Sequence, residues 1–218
     1  MSTAIIGTGN IGGAVARHLA VAGEHVVLAS QNQSSAEQLA GQLGVSASPA
    51  TVGDAIAAAD TVVFAVWFDA IKALVGEHQA DLDRKVVIDP SNPVAMDADG
   101  SFSRTLPDGV SAGSVIAGLL PPGAHFVKAF GTLAAEKLAD AANRTPERAV
   151  LFYATDDDIA GREAERLIAA AGFDPVSAGG LDQAIRIEMF GDLHDFGGLN
   201  GRLISRGEAR SLLAGLPV

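Results

Sequence analysis

Thr3-Ala4-Ile5-Ile6-Gly7-Thr8-Gly9-Asn10-Ile11-Gly12 decides the fold. A short strand-forming run leads directly into G-x-G-x-x-G, and an amphipathic helical pattern follows over residues 11–22. The glycine spacing alone is common. The strand before it and the helix behind it make it specific. Gly7 permits the tight turn, Gly9 leaves main chain bare for a close-lying pyrophosphate, and Gly12 lets the helix pack tightly on the strand. The helix start offers free N–H groups and the positive end of a dipole to phosphates. Gly7, Thr8, Gly9, Asn10, Ile11 and Gly12 are therefore expected to hold a dinucleotide.

Outward from this turn, apolar runs alternate with helical patterns. Strands are expected at 24–29, 45–47, 61–66, 85–89, 125–128, 149–154 and 173–177. Helices are expected at 34–43, 52–59, 68–75, 133–141 and 157–171. The unbroken run Thr61-Val62-Val63-Phe64-Ala65-Val66 suits a strand buried on both faces of a parallel sheet. The rhythm breaks over 90–124, a stretch rich in Gly, Pro, Ser and Asp that reads as irregular with one short helix near 113–120. The expected fold is α/β: a Rossmann-type, doubly wound parallel sheet over residues 1–180, with a small helical extension over 181–218.

Composition narrows the partners. The 218-residue chain is 48% hydrophobic and 19% charged, which suits a globular domain. A net charge of −11 opposes binding to nucleic acid or to anionic membrane surfaces. Cysteine is absent, which excludes disulfides, thiolate catalysis and Cys-ligated metal. Neither a signal peptide nor a membrane-length apolar run is present in the sequence, so a cytoplasmic protein is expected, and no metal site is assigned.

Ligands of open α/β sheets sit outside the carboxyl ends of the strands. After strand two stand Ser30, Gln31 and Asn32, with no carboxylate to meet a ribose 2′-hydroxyl. A carboxylate would repel a 2′-phosphate, so its absence favours NADP over NAD, with Arg17 as one source of positive charge. Ala65, Val66 and Trp67 follow strand four and are placed to cover part of the dinucleotide. Simple packing is the equal alternative for the aromatic positions there. Asp89-Pro90-Ser91-Asn92-Pro93 forms a stiff loop where the nicotinamide should arrive, with Asn92 as its polar contact.

With those residues in place, the chain resembles the NADP reductases that use an 8-hydroxy-5-deazaflavin coenzyme. The resemblance runs over about residues 3–179, through 6–12, Val87-Ile88-Asp89-Pro90-Ser91-Asn92-Pro93, Val127-Lys128-Ala129-Phe130-Gly131-Thr132 and Ala171-Gly172-Phe173-Asp174-Pro175-Val176. It implies hydride transfer between NADP(H) and a deazaflavin, with Ser30 at the 2′-phosphate, Ala129 against the nicotinamide, and a homodimer. Members of that family often carry Arg where Gln31 stands, Val-Pro where Val66-Trp67 stands, and Asn where Gly131 stands. The tail over 191–201 does not match.

Two further residues are candidates for catalysis. Lys128, at a strand end, would bind an anion or polarise a carbonyl. A structural salt bridge is the equal alternative. His194, between Asp192 and Asp195, would be a general acid or a metal ligand, with a plain polar loop as the alternative because no second metal-spaced His is nearby. Arg104 reads as an exposed arginine on a mobile loop, and Asp156-Asp157-Asp158 as a helix start. Three functions remain open at this point. They are hydride transfer to a deazaflavin or flavin, walled by the 91–124 segment and the tail; reduction of a small carbonyl or imine; and a non-catalytic dinucleotide sensor.

Overall fold

The computed structural model describes residues 2–215. Met1 and residues 216–218, the end of the expected helical extension, lie outside them. The chain runs β1 (Thr3–Ile6), α1 (Asn10–Val21), β2 (Val26–Ala29), α2 (Gln33–Leu43), β3 (Ala47–Pro49), α3 (Val52–Ala58), β4 (Thr61–Phe64), α4 (Phe68–Glu77) and β5 (Val86–Asp89). It continues through β6 (Val94–Met96), β7 (Phe102–Arg104), α5 (Ala112–Ala117), β8 (His125–Ala129), α6 (Ala135–Asp140), β9 (Val150–Ala154), α7 (Asp158–Ala170), β10 (Asp174–Gly179), α8 (Ala184–Ile187) and α9 (Arg206–Leu213).

Eight strands form one sheet in the order β10-β9-β8-β5-β4-β1-β2-β3. Its strands are short and apolar, and alternate residues feed two cores. Ile5, Leu28, Val63, Ile88 and Val127 meet α1, α2, α6 and α7 on one face. Ala4, Val27, Val62, Phe64, Val87 and Phe126 meet α3, α4 and α5 on the other. Covering both faces removes the polar alternation of an open sheet, so these strands read as continuous apolar runs.

The sheet departs from the all-parallel expectation at one place. β9 pairs antiparallel to β8, and β10 pairs parallel to β9, so the last two strands oppose the rest. The β8–β9 connection, residues 130–149, holds only the six-residue helix α6. Alternating strand and helix patterns carry no record of the direction in which the next strand returns.

Other boundaries move for local reasons. Gly44 takes φ +62° and opens a 3-10 turn, Gly44–Ser46, so β3 begins at Ala47, beyond the expected 45–47. β4 stops at Phe64 because Ala65 turns toward Gly7. The 90–124 stretch holds a hairpin that was not expected. β6 and β7 pair antiparallel around a turn closed by Asp97 and Ser101. Residues of the tail are not a loose appendage: Ala184, Ile187, Leu193, Leu199 and Ala209 share a third core with Val150, Phe152 and Val176.

The glycine turn shows how tightly α1 is seated. Gly7 has φ +102°, and a Cβ there would collide with the Ala65 carbonyl. A Cβ on Gly12 would collide with the Gly7 carbonyl oxygen. At Gly9, in contrast, an added Cβ meets nothing within 4 Å, and its φ of −73° suits any residue. Gly12→Ala is therefore expected to lower unfolding free energy by about 3 kcal/mol through overpacking. Gly9→Ala is expected to change it by less than about 1 kcal/mol, the cost of a poorer helix cap. Chemical denaturation of the two variants checks the contrast.

Candidate functional site

The carboxyl ends of β1, β2, β4, β5 and β8 converge on one edge, as parallel strands in common register require. At β1 the start of α1 carries no side-chain cap and no acidic residue in its first turn. Gly9 and Asn10 are exposed, Thr8 and Ile11 are half-buried, and Gly7 and Gly12 are buried. This is an open concavity of main-chain donors at a positive helix end, the arrangement that receives a phosphate. The Arg17 guanidinium folds back along α1: its Nη1 would lie 2.9 Å from a Cβ on Gly13. Positive charge thus borders the glycine turn, from a residue one helical turn beyond the motif.

After β2, Ser30 is half-buried and Gln31 is exposed. Asn32 is the N-cap of α2, and its Oδ1 accepts from the Ser34 N–H at 3.2 Å and from Ser34 Oγ at 2.7 Å. Its side chain is thus committed to the helix, while Ser30 and Gln31 keep theirs free for a ligand. After β4, Ala65 and Val66 pack against the glycine turn. Trp67 precedes α4 and is 59% exposed, beside a hollow of about 270 Å³ that it shares with Phe68, Val94, Met96 and Thr105.

At the β5 and β8 ends the side chains are more heavily engaged. Asp89 and Lys128 are paired in register, and both are buried. Lys128 Nζ donates to Asp89 Oδ2 at 2.9 Å and to the Ser91 carbonyl oxygen. Asp89 Oδ1 accepts from the Ser91 N–H at 2.7 Å. Together they fold the Pro90-Ser91 turn. Lys128 occupies the salt-bridge role rather than standing open to an anion. Asn92 Nδ2 donates to the Gly131 carbonyl at 3.2 Å, and Asn92 Oδ1 accepts from the Met189 N–H at 2.6 Å. Ala129 is buried at the end of β8, and Phe130 turns through φ +65°. Gly131 then presses on Pro90 so closely that a Cβ would strike the Pro90 carbonyl.

His194 is buried rather than displayed on a loop. Its Nδ1 accepts from the Phe196 N–H at 2.9 Å. Burial, the largest influence, pulls its pKa down to about 4. Next to it, the Asp195 N–H donates to the Thr132 carbonyl and its carboxylate accepts from Lys137 and the Ala134 N–H. The tail therefore clasps the 129–134 segment. Arg104 is also not free: it lies on β7, donates to the Val110 carbonyl and sits 3.7 Å from the buried Glu188 carboxylate. Burial pushes the Glu188 carboxyl up, Lys128 opposes it, and Oε2 has no hydrogen-bond partner among the described residues. Asp157 caps α7, as a helix start should, and additionally binds His125 at 2.7 Å.

Sequence reading passed over Glu188, although a carboxylate between Ile187 and Met189 is a visible anomaly in an apolar run. It also passed over Phe190 and Phe196, whose exposure has no sequence signature. Among the described residues no group of three His, Asp or Glu is placed to hold a metal. No helix there is long and apolar enough to cross a membrane.

Comparison with known proteins follows this geometry. Residues 2–93 match the family described as NADP oxidoreductase, coenzyme F420-dependent. The F420-dependent NADP reductase of Methanothermobacter thermautotrophicus is 29% identical over 202 residues, covering 86% of this chain and 85% of that protein. The chain is similar to the coenzyme F420-dependent NADP oxidoreductases. A hypothetical protein from Sinorhizobium meliloti is 28% identical, with a TM-score of 0.82 over 94% of this chain and 96% of that one. A candidate F420-dependent NADP reductase from Arthrobacter sp. FB24 shares the fold, with a TM-score of 0.72 at 23% identity, over 84% of this chain and 86% of that one. The similarity to the reductase thus covers 86% of the chain, while the family match itself covers residues 2–93.

Two expected outcomes follow from the buried groups. His194 has a folded-state pKa of about 4 against an unfolded value near 6.5, so it contributes stability at neutral pH that is lost as pH falls from 6.5 to 4. The full effect is about 3 kcal/mol. His194→Gln should flatten the stability profile in that window relative to the parent, measured by denaturation at stepped pH. Lys128→Met should cost about 3–5 kcal/mol by leaving Asp89 buried without its partner. Adding Asp89→Asn should recover a large part of that loss in a double-mutant cycle.

Proposed function

We propose that this chain, an NADP-dependent oxidoreductase by kinship, transfers a hydride between NADP(H) and a deazaflavin- or flavin-type acceptor. The observation that carries the reading is Gly9. The fold makes no demand for glycine there, since a side chain would have ample room and the backbone is unstrained. A bound pyrophosphate does make that demand, because it must lie against main chain. The residues fit the dinucleotide on the same ground: an uncapped helix start, no carboxylate after β2, and the Arg17 guanidinium alongside.

NADP(H) supplies or receives the hydride when bound. The chain's own residues bind and orient. Gly7 through Gly12 would hold the pyrophosphate, and Ser30 and Gln31 would border the 2′-phosphate. Ala65, Val66 and Trp67 would line the middle of the site, and Asn92 and Ala129 would frame the nicotinamide end. Asn92 holds the Gly131 carbonyl and the Asp195 N–H holds the Thr132 carbonyl, which keeps the last of these segments in place. Positioning of this kind is the main contribution a protein makes to transfer between two rings.

A small carbonyl or imine as acceptor would call for a proton donor that the substrate reaches. Lys128 is occupied by Asp89 and Ser91, and His194 is buried, its pKa pulled down by burial and its Nδ1 bonded to the Phe196 N–H. These engagements favour a ring acceptor, which makes no such call on them. The tail's clasp on the 129–134 segment favours a catalytic site over a non-catalytic sensor.

Gly9→Val is expected to fold with near-parental stability and to lose at least a hundredfold in NADPH affinity, measured by fluorescence titration. Unchanged affinity would remove the glycine turn from the site. Loss of NADPH absorbance with deazaflavin, flavin, quinone, carbonyl and imine acceptors in parallel tests the acceptor class. Turnover confined to the carbonyl or imine would overturn the ring reading.

A further inference from the structure

The chain has nine Phe, one Trp and one Tyr. Among the described residues, those that stand exposed are Trp67, Phe190 and Phe196, at 59%, 49% and 54%. Trp67 follows β4, so it lies at the carboxyl edge of the sheet by topology. Phe190 lies there by contact: it follows Met189, whose N–H is held by Asn92 Oδ1, and Asn92 in turn holds the Gly131 carbonyl. Phe190 therefore starts one residue from the point where the loops after β5 and β8 meet. Phe196 joins it, because Gly197 lies against the Phe190 main chain, where a Cβ would come within 2.8 Å of the carbonyl carbon. The Phe196 ring stacks on His194 at 6.0 Å between centroids, which fixes its direction.

Phe190 is held at φ +75°. A bulky side chain in the left-handed region is a true outlier, and such outliers persist only where surrounding structure enforces them. The enforcement is visible. The Gly191 N–H bonds the Glu188 carbonyl at 2.8 Å, Gly191 is wedged against the Arg186 and Ile185 carbonyls, and the Gly198 N–H bonds the Gly191 carbonyl at 3.0 Å. Glycine would suit this backbone better. A strained phenylalanine whose ring is half in solvent gains no core burial in return. An oligomer contact requires apolar area but sets no demand on the direction of one ring. Stacking on a planar ligand does set that demand, because aromatic pairs depend on offset and tilt.

We propose that Phe190, backed by Phe196, is a specificity-determining residue that receives the face of the planar acceptor ring. The assignment rests on the hydride-transfer reading above. Phe190 and Phe196 stand on a tail wedge rigidified by Gly191, Gly197 and Gly198, next to the node where Asn92 holds Met189 and Gly131.

The test uses the full chain loaded with NADP+. Oxidised 8-hydroxy-5-deazaflavin coenzyme and, separately, FMN are titrated by fluorescence into the parent, Phe190→Gly, Phe190→Tyr and Phe196→Ala. NADPH affinity, unfolding midpoint and mass by light scattering are measured on each. Phe190→Gly is expected to weaken ring binding at least tenfold without lowering the unfolding midpoint, since the left-handed backbone is relieved. Phe190→Tyr should stay within threefold of the parent, and Phe196→Ala should lose three- to tenfold. NADPH affinity and mass should not move. Ring affinity equal to the parent in Phe190→Gly overturns the proposal, as does a fall in mass with ring affinity intact, which would assign the pair to a contact between two copies. If the parent reduces a ring acceptor while Phe190→Gly matches it, the stacking assignment fails alone. If the parent neither binds nor reduces either ring, the acceptor reading fails with it.

Discussion

The structure depends on how closely two main-chain segments approach at the first β–α turn. Gly12 of α1 rests on the Gly7 carbonyl, and Gly7 rests on the Ala65 carbonyl beyond β4. A side chain at either position would lift α1 off β1 and β4. The uncapped start of α1 would then no longer point across the strand ends. Everything proposed for the dinucleotide follows from that seating. So does the placement of Ala65 and Val66, which are as much walls of the glycine turn as walls of a ligand site.

A second constraint acts one strand pair away. Asp89 and Lys128 come side by side because β5 and β8 are in register, and their burial obliges them to pair. The pair is a poor source of net stability, since both charges lose water to form it. What it provides is shape. It ties the Ser91 main chain back onto β5 and brings Pro90 under Gly131. The loop that carries Asn92 is thereby fixed against the segment that carries Ala129. The clasp from Asp195 completes the arrangement from outside the sheet.

The glycine turn, the alternating strands and the exposed Trp67 position were legible because they rest on local sequence. Turn chemistry, apolar period and strand ends are each written within a few residues. The reversed direction of β9, the β6–β7 hairpin and the role of the tail were not. The first depends on how the 130–149 connection packs, which no local pattern records. The second is a pair of three-residue strands without a strong apolar signal. The third depends on contacts between residues 58 to 97 positions apart, such as Lys137 with Asp195 and Asn92 with Met189. Lys128 at a strand end and His194 in the tail stood out as chemistry-bearing residues, yet burial decides what such groups do, and burial is a property of the assembled fold. Arg104 shows the same lesson, because Glu188 and Val110 hold it in place.

The titratable groups around the carboxyl ends of β5 and β8 are turned inward. Lys128 pairs with a buried carboxylate, His194 accepts from the Phe196 N–H, and Glu188 accepts from the Gly113 N–H while Arg104 faces its second oxygen. Each holds main chain in place. An enzyme that must deliver a proton keeps a donor near its working pKa in contact with the substrate. Here burial has moved the pKa of the histidine away from neutrality, and its Nδ1 is occupied. Such an edge lowers a barrier by fixing two reactants at short range, a contribution that reaches about 7–11 kcal/mol when the geometry is rigid. Direct hydride transfer between stacked rings is the chemistry that draws on this alone. The same inward turn of polar groups leaves the aromatic residues as the outward-facing surface of the site.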